Sequence, residues 1–162
     1  TEARLAIERI AQLYNQLYGI DFVGLRFFSV YGPHEEAKGR FANMVTQFLW
    51  EMKRGNAPLI YGDGTQSRDF VFVGDVVDAL ILASNRGTGI FNVGTGVAHS
   101  FNDVIEILNA QLRQVREPIY SKNPITNYVA HTQADISKIK ALGFDPRYSL
   151  VEGLAELISN PI

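Results

Sequence analysis

Arg68 stands in the run Tyr61-Gly62-Asp63-Gly64-Thr65-Gln66-Ser67-Arg68-Asp69-Phe70, directly after a glycine-rich turn. A guanidinium there can pair with two phosphate oxygens at once, in a fork that lysine cannot copy. The competing reading is a surface ion pair with Asp69 or Asp75. Upstream, Phe27-Phe28-Ser29 closes an apolar run and yields to a polar loop. A strand that ends this way is where open α/β sheets place ligands; the plainer alternative makes both phenylalanines core. Asn43 falls near the start of a helix, where unpaired N–H groups and the helix dipole favour anions. It reads either as a cap or as a nucleotide contact. His34, His99 and His131 have no metal-ligand spacing among themselves, so no metal site is expected. Gly94-Thr95-Gly96 precedes a helix like part of a dinucleotide loop, but position 99 is His where a third glycine is required.

These residues need a frame, and the pattern supplies one. Residues 2–18 read as a helix with Ile10, Leu13, Tyr14, Leu17 and Tyr18 on one apolar stripe, stopped by a left-handed Gly19. Phe22 to Phe27 reads as a buried strand, and Ser29 to Arg40 as a loop bent by Gly32-Pro33. A second helix spans about 41–54, with Phe41, Met44, Val45, Phe48, Leu49 and Met52 as its stripe. Pro58 to Tyr61 and Gly89 to Val93 read as short strands, and Arg68 to Val73 as extended. Asp75 is the expected N-cap of a helix reaching about Ser84. Ser100 to Asp103 resembles a capping box and Ser149 to Glu152 matches one, each opening a helix. Strands alternating with helices give an α/β chain.

The chain has 162 residues, enough for one ordinary domain, and its 46% hydrophobic content can build a packed core. Fifteen basic residues against 17 acidic give a net charge of −2, with no basic run to suggest nucleic acid. There are no cysteines, which excludes disulfides, thiolate metal sites and cysteine nucleophiles and accords with a reducing, cytoplasmic setting. Apolar runs are too short to span a bilayer, so no membrane partner is expected.

The runs Leu25 to Pro33 and Tyr61 to Phe70, with Val73-Gly74-Asp75, resemble the second half of the nucleotide-sugar epimerases and dehydratases, the extended branch of the short-chain dehydrogenase/reductases. Asn92-Val93-Gly94, Ala134-Asp135-Ile136-Ser137-Lys138, Leu142-Gly143-Phe144 and Ser149 to Leu154 extend the resemblance over nearly the whole chain. The resemblance implies the C-terminal portion of a Rossmann-type enzyme: residues 1–162 would hold the last sheet strands of the NAD domain and the small substrate-binding domain. The glycine-rich dinucleotide-binding part would be absent, and the catalytic tyrosine would fall one position before Thr1.

By that resemblance Arg4 takes the place of the lysine that lowers the tyrosine's pKa and holds the cofactor ribose. Phe27 and Phe28 approach the nicotinamide of NAD. Ser29 replaces the usual asparagine near the substrate diphosphate. Asn43, the Leu59 to Tyr61 strand and Arg68 hold the nucleotide. A second arginine clamp near the end is replaced by Asn123 to Asn127, leaving Asn127, Thr132 or His131 as substitute contacts. The implied activity is that of a UDP-glucose 4-epimerase-like enzyme using NAD for transient oxidation at sugar C4. The alternatives are a sugar-nucleotide dehydratase fragment or an inactive nucleotide-sugar-binding or interaction module. A UDP-sugar is the implied ligand, with a missing N-terminal half and a second copy as partners. The Leu5 to Tyr18 helix and the strand ending at Phe28 pack against the missing half in relatives, so alone the chain should expose an apolar patch and self-associate.

Overall fold

The structure, a computed structural model, describes residues 2–160. Its elements follow in the order α1 (Glu2–Tyr18), β1 (Val23–Phe27), β2 (Ser29–Tyr31), a 3₁₀ turn (Glu36–Phe41), α2 (Met44–Lys53), β3 (Leu59–Tyr61), β4 (Ser67–Arg68), β5 (Phe70–Phe72) and α3 (Val73–Arg86). Then come β6 (Gly89–Val93), β7 (His99–Ser100), α4 (Phe101–Leu112), β8 (Ile119–Ser121), β9 (His131–Thr132), α5 (Ser137–Lys140) and α6 (Leu150–Ser159). The α/β expectation holds. Three strand pairs are parallel, β1 with β6, β2 with β5 and β3 with β8, while β4 lies between antiparallel β7 and parallel β9.

β5 divides the interior. Successive side chains of a strand point to opposite faces. Phe70 and Phe72 enter a core built from α2, α4 and α6, where Phe48, Leu108 and Leu154 are buried. Val71 enters a second core with Phe91, Val93, Ile139 and Phe144. Aromatic edges knit the first core: Phe48 meets Phe101 at 5.6 Å between centroids, and Tyr31 meets Phe72 at 5.7 Å. Both expected caps form. Ser100 accepts from the Asp103 N–H and Ser149 from the Glu152 N–H, with the acidic side chains answering in reciprocal bonds.

α1 is as expected in extent and stops at Gly19, whose φ of +66° no side-chain-bearing residue adopts cheaply. Its apolar stripe does not enter the core of this chain. Ile10, Leu13, Tyr14, Leu17 and Tyr18 are each between 48% and 66% exposed. The half-buried face is instead Leu5, Glu8, Ala11 and Asn15. A fork from Arg26 of β1 to Glu8, at 2.8 and 2.6 Å, ties the helix to the sheet and holds the Glu8 carboxyl below its ordinary range. Val77, Leu80 and Ile81 on α3 are also exposed.

Five local expectations are corrected. β1 is not a buried strand: Val23, Gly24 and Leu25 are half-buried, and Arg26 and Phe27 are exposed. Asp75 does not cap α3: that helix begins at Val73, and the fully buried Asp75 carboxylate instead accepts from the Arg147 and Tyr148 N–H groups. α2 starts at Met44 with Asn43 as its cap, so Phe41 falls in the 3₁₀ turn and lies exposed under the Arg40 guanidinium. The Ser29 to Arg40 loop contains β2 and that turn. The Arg68 to Val73 stretch is two strands, because Asp69 turns its backbone between neighbours: its N–H donates to Thr132 and its carbonyl accepts from Ser29.

Candidate functional site

β1 and β6 run parallel in register and end together, Phe27 opposite Val93. Beyond that edge the backbone ladder continues sideways. The Phe28 N–H donates to Val93 O at 3.0 Å, Ser29 to Asp69 O at 2.9 Å, and Asp69 to Thr132 O at 2.9 Å. Three separate strand systems therefore meet at the C-terminal end of a parallel pair, where α/β sheets carry their ligand sites. Phe27, Phe28, Ser29, Arg68 and Thr132 line an open cavity of about 340 Å³ there. Five residues singled out in the sequence thus share one wall-set: two aromatics, two hydroxyls and one permanent cation.

Phe27 is half exposed at the strand end and lines the cavity. Phe28 is half-buried and packs against the second core. Arg68 has no carboxylate partner among the described residues. Its Nη1 donates to the carbonyls of Ser67 at 2.7 Å and Ala130 at 3.0 Å, and its Nη2 to that of Val129 at 2.7 Å. The Tyr128 ring lies 5.0 Å from the guanidinium carbon. Of five N–H donors, the Nε–H and one Nη2 hydrogen stay uncommitted, enough for a two-point contact with an anionic oxygen pair. The neighbouring acidic groups are used elsewhere, so the surface ion-pair reading of Arg68 does not describe this arrangement.

Asp69 is the residue that aligns this wall, and its role was not apparent from sequence. Fully buried, its Oδ1 accepts from Thr95 N and Thr95 Oγ1, both at 2.7 Å, and its Oδ2 from Gly96 N at 2.9 Å and Ala134 N at 3.1 Å. The Gly94-Thr95-Gly96 loop does cradle an anion, but an internal one, and its donors are spent on this chain's own carboxylate. Four bonds replace the water that the ion lost on burial.

Asn43 sits one bond behind the cavity. Its Oδ1 accepts from Val45 N at 3.1 Å, and its Nδ2 donates to Ser29 Oγ at 3.0 Å and Val30 O at 2.9 Å. Leu59 and Tyr61 lie part-exposed on β3 beside β8 and do not line the cavity. Asn127 is exposed in the turn before Tyr128, and Arg4 is exposed in the first turn of α1; neither is a lining residue. His131 Nδ1 and Ser67 Oγ are 2.8 Å apart, one hydrogen bond at the flank of β4. Among the described residues no group of acidic and histidine side chains is placed to hold a metal, and no helix is long and apolar enough to cross a membrane.

Residues 1–94 match the family model described as NAD dependent epimerase/dehydratase family. Over 152 residues the chain is 38% identical to a Methanocaldococcus jannaschii protein assigned provisionally as a UDP-glucose 4-epimerase, covering 94% of this chain and 49% of that one. Its fold superimposes with a TM-score of 0.89 and 34% identity on the Thermotoga maritima UDP-glucose 4-epimerase solved with UDP-glucose, covering 96% of this chain and 50% of that one. The Helicobacter pylori ADP-L-glycero-D-manno-heptose-6-epimerase gives 0.85 and 31%, covering 96% and 48%. The chain spans about half the length of these relatives.

Proposed function

The chain belongs to the NAD-dependent epimerase/dehydratase family, and on that premise we propose that it supplies the nucleotide-sugar site of an NAD-dependent epimerase. In this reading residues 1–162 are the C-terminal half, the final strands of the cofactor domain with the substrate-binding domain. An N-terminal part outside these residues brings the dinucleotide loop. The observation that carries the proposal is the single cavity uniting Phe27, Phe28, Ser29, Arg68 and Thr132.

The residues of the cavity suit the groups assigned to them. Arg68 offers its free donors to the diphosphate, and Ser29 and Thr132 offer hydroxyls beside it. The half-exposed Phe27 ring suits a flat nicotinamide at the strand end. NAD, when bound, supplies transient oxidation at sugar C4. Arg4, exposed on α1, is assigned to the cofactor ribose and to the charge beside the catalytic phenol. Asn127, next to the Arg68 and Tyr128 pair, is assigned to the substrate rim. Leu59 and Tyr61 are assigned to the base. UDP is the proposed nucleotide, and a second copy docking on the α1 stripe is the proposed assembly.

Titration calorimetry of UDP-glucose and of an ADP-sugar into this chain tests the site. The proposal expects UDP-glucose to bind and Arg68→Ala to weaken it at least tenfold, the size of a lost charge-assisted contact. Binding that Arg68→Ala leaves unchanged sinks the assignment, and a preference for the ADP-sugar changes the base.

A further inference from the structure

Ser29 has one hydroxyl hydrogen and two lone pairs. What that hydrogen does depends on who donates to the oxygen. Asn43 does. Its Oδ1 is fixed by the Val45 N–H at 3.1 Å, which turns the amide nitrogen toward β2. The two Nδ2 hydrogens then go to Val30 O at 2.9 Å and Ser29 Oγ at 3.0 Å. The Asn43 side chain has no donor left for a ligand. Ser29 Oγ, already accepting, has its own hydrogen directed away from Asn43, and Ser29 lines the same cavity as Arg68.

A buried carboxylate stands behind Asn43. Glu35 is only 3% exposed. Its Oε1 accepts from the Asn43 N–H at 3.1 Å and from Lys38 Nζ at 2.8 Å, and its Oε2 accepts from the Thr46 hydroxyl. A carboxylate at the first turn of α2 also meets the positive end of the helix dipole. With three donors converging, Glu35 fixes where the α2 cap sits relative to β2.

We propose that Glu35 and Asn43 are positioning residues that hold the Ser29 hydroxyl as a hydrogen-bond donor to a phosphate oxygen in the cavity. The proposal rests on the nucleotide reading above and refines it: Asn43 acts through Ser29 rather than touching the nucleotide. It also accounts for a serine at this place. A lone hydroxyl becomes a directed donor once a neighbour occupies its acceptor side.

The test is a cycle on the full chain with UDP-glucose as titrant. Ser29→Ala and Glu35→Ala should each weaken binding about tenfold, the scale of one hydrogen bond to a charged group. The double variant should bind no more weakly than Ser29→Ala. Glu35→Gln keeps an oxygen for the Asn43 N–H and should restore affinity to within about twofold. A Glu35 of merely structural value would add its full loss in the Ser29→Ala background, which overturns the proposal. If Glu35→Ala does not fold, Asn43→Ser, which keeps a capping oxygen but loses the amide donors, takes its place in the cycle. A ligand-free measurement separates the two claims. The Asn43 side-chain amide resonance should shift in both Ser29→Ala and Glu35→Ala. An unmoved resonance overturns the relay, whereas a moved resonance without any UDP-glucose binding overturns the nucleotide assignment alone.

Discussion

Replacing Asp69 by asparagine changes one atom, and the structure says that this should be costly. The carboxylate is fully buried and accepts four hydrogen bonds, two at each oxygen. An asparagine can keep its oxygen toward Thr95, but its NH₂ then faces the N–H groups of Gly96 and Ala134, donor against donor. Turning the amide over merely moves the conflict to Thr95. Two charge-assisted bonds are lost and two buried N–H groups are left unpaired. At roughly 1.5–3 kcal/mol each, the loss is about 4 kcal/mol. That is a large part of the stability of an ordinary domain, about 5–15 kcal/mol. For a chain of this size it corresponds to a fall in Tm of about 10 °C. Urea unfolding followed by circular dichroism reads the free energy directly. An Asp69→Asn chain within about 1 kcal/mol of the parent would refute the four-bond account, since only one dispensable contact would then be at stake.

Gly153 of α6 lies so close to Tyr31 that a Cβ there would overlap the phenol oxygen and stand 2.9 Å from Cζ. Gly153→Ala should therefore destabilise by about 2 kcal/mol in urea unfolding despite alanine's better helix propensity. Tyr31 is buried and next faces the Asp75 charge, both of which push its phenol pKa up. The native state keeps that proton where the unfolded state, with an ordinary value of about 10, loses it, so this stability is intact below about pH 10 and is lost as pH rises further. Tyr31→Phe should flatten the alkaline limb of a stability-against-pH curve, and an unchanged limb would refute it. Leu13 and Leu17 are both exposed on the α1 stripe, so the parent should self-associate in sedimentation velocity and the Leu13→Glu/Leu17→Glu chain should not. A parent that stays monomeric at high concentration contradicts this.

Much of the frame was legible because its signals are local. Ser100 and Ser149 announce their helices through reciprocal caps, and Gly19 stops α1 by backbone freedom alone. The cavity was legible in part for a related reason: Phe27, Phe28, Ser29 and Arg68 all fall where strands end or turns close. What the sequence hid depends on distant partners. Asp69 looks like an ion-pair candidate for its neighbour Arg68, and only the approach of Thr95, Gly96 and Ala134 makes it the bond acceptor that aligns the wall. Asp75 has the residue type of a helix cap, but burial against the 147–148 backbone claims its carboxylate. Periodicity marked the α1 stripe without saying what covers it, since an apolar face carries no address for its partner.

The central claim is that the nucleotide sits at the end of β1 against Arg68. It is tested most directly by backbone amide mapping of this chain as UDP-glucose is added. The account predicts saturable shifts at Phe28, Ser29, Arg68 and Thr132, with Val129 and Ala130, whose carbonyls accept from Arg68, and Tyr128, whose ring lies over it, moving alongside. Shifts confined to a cavity elsewhere, such as the one of about 360 Å³ lined by Glu36, Gly39, Trp50 and Arg54, would contradict it.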